Sequence, residues 1–249
     1  MSQVIKNLSL ILPTLNEAGN IIEQIREVYR ELPELLEIIV ADDASTDGTI
    51  EIIESHFPNQ IQTGRIRVLK RQLDFGLTPS LRDAVAIAKG SYLAWMDCDL
   101  SMPTEVLRQM AEVLESGNID VCVGSRFVRG GKQRDWVHSG KDSRLEILLS
   151  TMLNVGVKKF LGAPVSDLTS GFVVVTRKAL DGVSFNGKHG EYFMSLLAQW
   201  QRKGIRFAEV PYSLGTRQHG ISKTFGTLKA IVLNSTRYAI GVARLFFTS

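Results

Sequence analysis

The sequence predicts an α/β fold: a mostly parallel sheet flanked by helices, with a basic amphipathic helix at the carboxyl end. Three observations predict it. Five short apolar runs in the first half alternate with stretches of helical periodicity, the pattern of strands joined by crossover helices. Most of those runs end in a polar cluster, and ligands of parallel sheets bind at the carboxyl ends of the strands. The chain after Glu209 holds no acidic residue, yet it carries Arg217, Lys223, Lys229, Arg237 and Arg244.

The elements follow in order. Residues 8–12 form a first apolar run that stops at Pro13, and residues 18–31 place Ile21, Ile22, Ile25 and Val28 at helical spacing. A second run covers 37–41 and ends in Asp42-Asp43, and Asp47-Gly48-Thr49 opens a helix through Phe57. Residues 65–70 read as a third strand, and 76–89 as a helix with Leu77, Leu81, Val85 and Ala88. A fourth strand covers 91–96, a helix 103–115 has Pro103 in its first turn, and a fifth strand covers 119–123. Residues 127–143 are rich in Gly, Lys and Arg without apolar period, which makes them a long loop of the kind that carries function. Beyond it the spacing predicts a helix over 145–161, a strand over 171–175, a helix over 190–203 and a strand over 206–210. A polar loop at 211–223 precedes the final helix. The 249 residues divide into a nucleotide-binding half (about 1–124), an acceptor half (about 125–223) and the C-terminal helix (about 224–249) of one domain.

With 44% hydrophobic and 22% charged residues, the composition excludes a disordered chain and a polytopic membrane protein. Cys98 and Cys122 have no metal-ligand spacing and read as buried reduced thiols. The amino terminus reads as a first strand and not as a signal peptide. The longest uncharged apolar stretch near the carboxyl end is broken by Arg244, well short of the roughly 20 residues a membrane span needs. That helix either packs on the domain or lies on a bilayer.

The chemistry-bearing residues sit at the predicted strand ends. Asp97 and Asp99 are two apart, so on a strand they share a face and offer hard oxygen ligands suited to Mg²⁺ or Mn²⁺. The alternative is an Asx turn that closes the strand. Asp42 and Asp43 end the second strand, where a carboxylate accepts from a ribose hydroxyl or a base N–H, whereas Asp47 caps the next helix. Asn16 and Glu17 end the first strand, where either Asn16 or Glu17 caps the next helix, or Glu17 binds ribose or base. Arg126 ends the fifth strand, and Arg217 and Lys223 lie in the late polar loop. Each alone is a surface cation, and together they form a set for phosphate oxygens.

Six segments occur in a recognisable order: Pro13-Thr14-Leu15-Asn16-Glu17, Asp42-Asp43-Ala44-Ser45-Thr46-Asp47-Gly48-Thr49, Met96-Asp97-Cys98-Asp99-Leu100, Gly124-Ser125-Arg126-Phe127, Ser166-Asp167-Leu168-Thr169-Ser170-Gly171-Phe172, and Arg217 with Gly220, Ser222 and Lys223. With them the sequence resembles the family 2 glycosyltransferases, specifically the dolichol-phosphate mannose synthase group, over nearly its whole length. The resemblance implies a GT-A-type, Rossmann-like domain that transfers a hexose, with GDP-mannose favoured as donor, to a polyprenyl phosphate with inversion at C1. It implies nucleotide-sugar contacts at Pro13, Leu15, Glu17, Ala41, Asp43, Asp97, Cys98 (through its backbone), Asp99, Arg126, Arg217 and Lys223. It also implies a Mg²⁺ or Mn²⁺ ion at Asp97 and Asp99, and catalytic roles for Asp99, Arg126 and Asp167. Asp167 is either a base or a residue that orders the acceptor side. The implied partners are the nucleotide sugar, polyprenyl phosphate, a membrane surface and a small membrane-anchoring subunit, with no nucleic acid. The implied place is cytoplasmic, peripheral on the cytoplasmic membrane face. A UDP-glucose or other UDP-sugar donor, a saccharide acceptor, and a catalytically silent sugar-nucleotide-binding subunit are the competing readings. Three positions depart from the group's pattern: Leu15 replaces a usual Tyr, Ser101 stands where some members have Gln, and Gly140 stands where an Arg is usual.

Overall fold

The structure is a computed structural model and describes residues 2–132, 163–187 and 191–215. The helices expected over 145–161 and 224–249, the polar loop beyond Lys132, and the cations Arg217 and Lys223 lie outside those residues. In chain order the elements are α1 (Gln3–Lys6), β1 (Leu8–Thr14), α2 (Ile21–Glu31), β2 (Glu37–Asp42), α3 (Thr49–His56), α4 (Pro58–Gln62), β3 (Ile66–Lys70), α5 (Leu77–Ile87), β4 (Tyr92–Trp95), α6 (Thr104–Glu115), β5 (Val121–Ser125), β6 (Val173–Thr176), α7 (Arg177–Leu180), α8 (Glu191–Arg202) and β7 (Phe207–Pro211).

The seven strands form one sheet in the order β3-β2-β1-β4-β6-β5-β7. Only β6 is reversed, pairing antiparallel with both β4 and β5, so the sheet is mostly parallel as predicted. Strands β1, β2 and β3 build outward in one direction, and the chain then crosses back to lay β4 on the other side of β1. That reversal opens a crevice at the carboxyl ends of β1 and β4.

Both faces of the sheet are buried. Leu8, Leu10, Leu12, Ile38 and Val40 point into one core with Ile21, Ile25 and Val28 of α2 and Val106, Leu107 and Met110 of α6. Ile11, Ile39, Ala41, Leu93 and Trp95 point into the other, with Leu81 and Ala84 of α5 and Phe193, Leu197 and Trp200 of α8. Residues two apart thus serve one face, and their interleaving explains why each strand reads as a continuous apolar run. The two buried tryptophans keep their N–H groups bonded: Trp95 Nε1 donates to Tyr192 Oη at 2.9 Å and Trp200 Nε1 to the Ala179 carbonyl at 2.9 Å. Cys98 and Cys122 are both buried, and burial pushes the Cys122 thiol up to about 12.

Several boundaries differ from the sequence reading for local reasons. Asn20 donates its backbone N–H to the Glu17 carbonyl, so residues 17–20 form a turn and the helix begins at Ile21. Pro58 ends α3 and opens α4, a new short helix with Pro58 at its start. Pro103 is the cap of α6 and not part of its first turn. Strand β5 runs two residues later than expected, because Asp120 leaves the strand to accept from Arg206 Nε at 2.9 Å.

The amino-terminal edge of the sheet is held by one buried carboxylate. Glu37 accepts from Ser9 Oγ and from the Lys89 backbone N–H, each at 2.7 Å, and from Arg67 Nη1 at 3.1 Å. The Gly90 N–H donates to the same Ser9 hydroxyl at 2.8 Å. A Cβ at Gly90 would meet the Asn7 carbonyl oxygen at 2.5 Å, the Ser9 nitrogen at 2.7 Å and the Tyr92 carbonyl oxygen at 2.7 Å, all backbone atoms. Gly90→Ala is therefore expected to cost at least about 1–3 kcal/mol, the usual scale of overpacking, read from the urea midpoint of the full chain.

Candidate functional site

The register places three strand ends side by side. Thr14, Asp42 and Lys70 are paired across β1, β2 and β3, so Leu15, Asp43 and Arg71 follow at one level of the rim. The sheet hydrogen bonds continue one step further: Asp43 N donates to the Thr14 carbonyl and Arg71 N to the Asp42 carbonyl, each at 2.9 Å.

The neighbouring acids Asp42 and Asp43 have separate tasks. Asp42 is fully buried and accepts from Thr14 Oγ1 at 3.0 Å, Ser45 Oγ at 2.5 Å and Ser45 N at 2.9 Å, which folds the β2–α3 loop back on β1. Asp43 faces the rim. It pairs with Arg71 Nη1 and accepts from the Gly76 N–H at 2.7 Å. Arg71 is itself buried and spreads its remaining donors over Asp83, Ser80 and the carbonyls of Leu73 and Asp74. The sequence reading missed this arginine, which stands just after a strand in no recognisable motif.

The β1–α2 and β2–α3 loops are bonded to each other. Asn16 N donates to Ser45 Oγ at 2.8 Å, and Thr46 N donates to Asn16 Oδ1 at 2.8 Å. Asp47 accepts from Thr49 N at 3.0 Å, Thr49 Oγ1 at 2.5 Å and Ala18 N at 3.0 Å, while Gly48, at φ 88°, is the residue at the helix cap position. Asp47 thus caps α3 from one residue further out than expected. Partial burial raises its carboxyl, but the hydrogen bonds from Thr49 and Ala18 outweigh it and hold the group below the usual carboxylate range. Glu17 N donates to Thr49 Oγ1 at 2.9 Å, and Glu17 Oε2 accepts from Asn20 Nδ2 at 2.9 Å. Pro13 is half-buried in β1, and Ala41, its partner in β2, is fully buried in the second core.

Past β4 the acids again divide. Asp97 is exposed, Cys98 turns its thiol into the first core, and Asp99 is buried, accepting from Ser101 N at 3.1 Å and Ser101 Oγ at 2.5 Å. An exposed carboxylate beside a buried one held by a hydroxyl is a hard-oxygen donor set that fits Mg²⁺ or Mn²⁺, ions that complete their shell with water and substrate phosphates. Among the described residues no three His, Cys, Asp or Glu side chains converge on one point. The Gly215 N–H donates to the Ser101 carbonyl at 2.8 Å, which ties the start of the late polar loop to this acidic turn.

Across the crevice, Arg126 is clamped. Its Nε donates to Asp167 Oδ2 at 2.7 Å, Nη2 to Asp167 Oδ1 at 2.8 Å, Nη2 to Thr169 Oγ1 at 2.9 Å, and its backbone N–H to Asp167 Oδ2 at 3.0 Å. Asp167 is fully buried. Both of its oxygens are therefore engaged by one guanidinium, the geometry of a positioning group. Tyr212, beyond β7, is close enough to feel Arg126, Asp167 and Asp97. Burial pushes its hydroxyl up to about 12 although Arg126 works against the rise, so it stays neutral at physiological pH.

Four non-glycine residues among those described have positive φ: Asn16 (56°), Ala44 (62°), Asp74 (51°) and Leu100 (62°). Each lies just past the carboxyl end of one of the strands β1 to β4. Strained backbone of this kind persists where surrounding bonds hold it, and it concentrates at functional sites.

With this geometry, comparison with known proteins defines the class. Residues 9–183 match the family described as glycosyl transferase family 2, and the chain belongs to it. Among individual relatives, the dolichol-phosphate mannosyltransferase of Pyrococcus furiosus is 30% identical over 224 residues, covering 88% of this chain and 59% of that protein. The polyprenol monophosphomannose synthase of Mycolicibacterium smegmatis is 27% identical over 224 residues, covering 88% of this chain and 81% of its own length. These two relatives bear out the resemblance drawn from the six motifs. The chain spans only about three-fifths of the archaeal relative. Among solved structures, glucosyl-3-phosphoglycerate synthase from Mycobacterium tuberculosis, crystallised with Mn²⁺, UDP and phosphoglyceric acid, superposes with a TM-score of 0.71 at 19% identity, over 98% of this chain and 80% of that one. That likeness establishes a shared GT-A-like fold.

Two outcomes check the site. Asp47→Ala should lower stability by about 1 kcal/mol at pH 7, the usual worth of a helix cap. Because the folded state depresses this carboxyl, the difference from wild type is fully present above the ordinary carboxylate range and fades as pH falls through the lowered value, which urea unfolding at several pH values reads directly. Asp167→Asn should cost about 3 kcal/mol, the low end for breaking a buried pair, because the Arg126 side chain keeps 14% of its surface exposed.

Proposed function

We propose that the protein is an inverting glycosyltransferase that moves a hexose, with mannose from GDP-mannose favoured, onto the phosphate of a polyprenyl lipid. The observation that carries this reading is the arrangement around the β1/β4 crevice. The Asp43 carboxyl lies on one side, the Asp97–Asp99 pair in the middle, and a clamped cation, Arg126, on the other. The names of the two relatives support the lipid-phosphate acceptor and the mannosyl group.

Each residue has a task in this reading. Asp43, held in place by its ion pair with Arg71, accepts from the N–H edge of the nucleobase. Pro13, Leu15, Glu17, Ala41 and the backbone of Cys98 line the nucleotide. Asp99, with Asp97, would hold a Mg²⁺ or Mn²⁺ ion, whose charge would offset that of the diphosphate leaving group. Arg126 steers the acceptor phosphate toward the sugar C1. A phosphate oxygen is already anionic at neutral pH, so attack needs no strong base, which agrees with the engagement of both Asp167 oxygens by Arg126. Arg217 and Lys223 bind the diphosphate. The cations after Glu209 favour an anionic bilayer surface, on the cytoplasmic face where nucleotide sugars are made available, and a small membrane subunit is a fitting companion. Among the described residues no helix is long and apolar enough to cross a membrane.

The test is a transfer assay with the full chain, Mn²⁺ and polyprenyl phosphate, offered radiolabelled GDP-mannose, UDP-glucose and other sugar nucleotides in parallel. Label moving into the organic-extractable lipid from GDP-mannose, and far less from UDP-sugars, is the expected result. Transfer from a UDP-sugar alone would replace the donor, and no lipid product from any donor would sink the acceptor.

A further inference from the structure

Three large apolar side chains stand exposed among the described residues: Leu15 at 38%, Leu73 at 81% and Phe75 at 53%. All three belong to one stretch of rim. Leu15 follows β1, Leu73 and Phe75 follow β3, and β2 with its Asp43 runs between those strands.

The loop that carries Leu73 and Phe75 is not loose. The Arg71 guanidinium donates to the Leu73 carbonyl at 3.2 Å and to the Asp74 carbonyl at 2.6 Å. Asp74 is held at φ 51°, and its carboxylate accepts from Arg82 Nη2 at 3.0 Å. At the far end the Gly76 N–H donates to Asp43 Oδ2 at 2.7 Å. A buried guanidinium and a carboxylate at the site therefore fix a loop whose most prominent side chains are hydrophobic and in water. Holding apolar groups exposed in one conformation gains nothing for folding, and it preorganises them for a ligand.

We propose that Phe75, with Leu15 on the other side of Asp43, forms the slot that grips the two faces of the donor's nucleobase while Asp43 reads its edge. The inference rests on the nucleotide-sugar reading above and assigns its specificity to a loop that no motif marks. The chemistry suits a planar heterocycle. Among the described residues Asp43 Oδ2 accepts from Gly76, and a carboxyl oxygen has a further lone pair for a base N–H; the flanking groups are an aromatic ring and an isobutyl chain, which pack against a π-face.

The experiment titrates the full-length wild type and Phe75→Ala with GDP, with UDP and with inorganic pyrophosphate, each with Mn²⁺, by calorimetry. Loss of one stacking face should weaken the tighter nucleoside diphosphate about tenfold and leave pyrophosphate, which has no base, unchanged. Adding Leu15→Tyr to Phe75→Ala should restore most of the loss by supplying a ring from the opposite side. Unchanged melting temperature in Phe75→Ala confirms that an exposed side chain was removed without unfolding. Equal losses for nucleotide and pyrophosphate, or no loss for either, would overturn the proposal. A variant that keeps its nucleotide affinity but sediments less with anionic liposomes would also overturn it and give the ring to a membrane surface. If wild type binds neither GDP nor UDP, the nucleotide-sugar reading itself has failed.

Discussion

Because apolar layers cover both faces of the central strands, a charged side chain there emerges at the strand ends. The polar groups gathered at those ends follow from that restriction. At the amino-terminal edge Glu37 is enclosed and spent on stapling Ser9, Arg67 and the turn before β4. At the carboxyl edge the strands end in a succession of Asp, Glu and Arg side chains, and the single reversal of chain direction between β3 and β4 gives those groups a crevice to line.

Acids at that edge occur in close pairs, and the members of each pair take different surroundings. Asp42 is consumed by Thr14 and Ser45, and Asp43 by Arg71 and Gly76; Asp99 bonds Ser101, and Asp97 stands exposed. Two adjacent carboxylates sharing the same donors would repel, so separate partners let both be accommodated. Arg126 and Asp167 follow a related logic with opposite charges: the buried acid fixes the direction of the cation and balances its charge.

Much of this was legible from sequence. The first five strands showed as apolar runs because a sheet buried on both faces needs both alternating sets of side chains to be apolar, and the aspartates advertised the strand ends. What stayed hidden depends on contacts between distant residues. The reversed direction of β6 leaves no mark on the run Val173-Val174-Val175, since a strand reads alike in either direction. Arg126 and Asp167 are 41 residues apart, and only the fold shows that they meet. Arg71 stands in no sequence motif; its burial comes from Asp43, Asp83 and the carbonyls of its own loop, which no local pattern encodes. The displaced ends of α2 and β5 have the same origin, a turn at Glu17 and a side chain partner for Asp120.

The two cysteines, described above only as members of the core, have a practical consequence. They are the sole thiols of the chain, both are buried, and that of Cys122 is pushed so high that almost none of it ionises near neutral pH. Maleimides and other thiolate-seeking probes therefore meet a nearly silent background. A cysteine introduced on an exposed turn could carry a fluorophore or spin label without first stripping the native ones, and the wild-type packing around β4 and β5 would be kept while the crevice is watched.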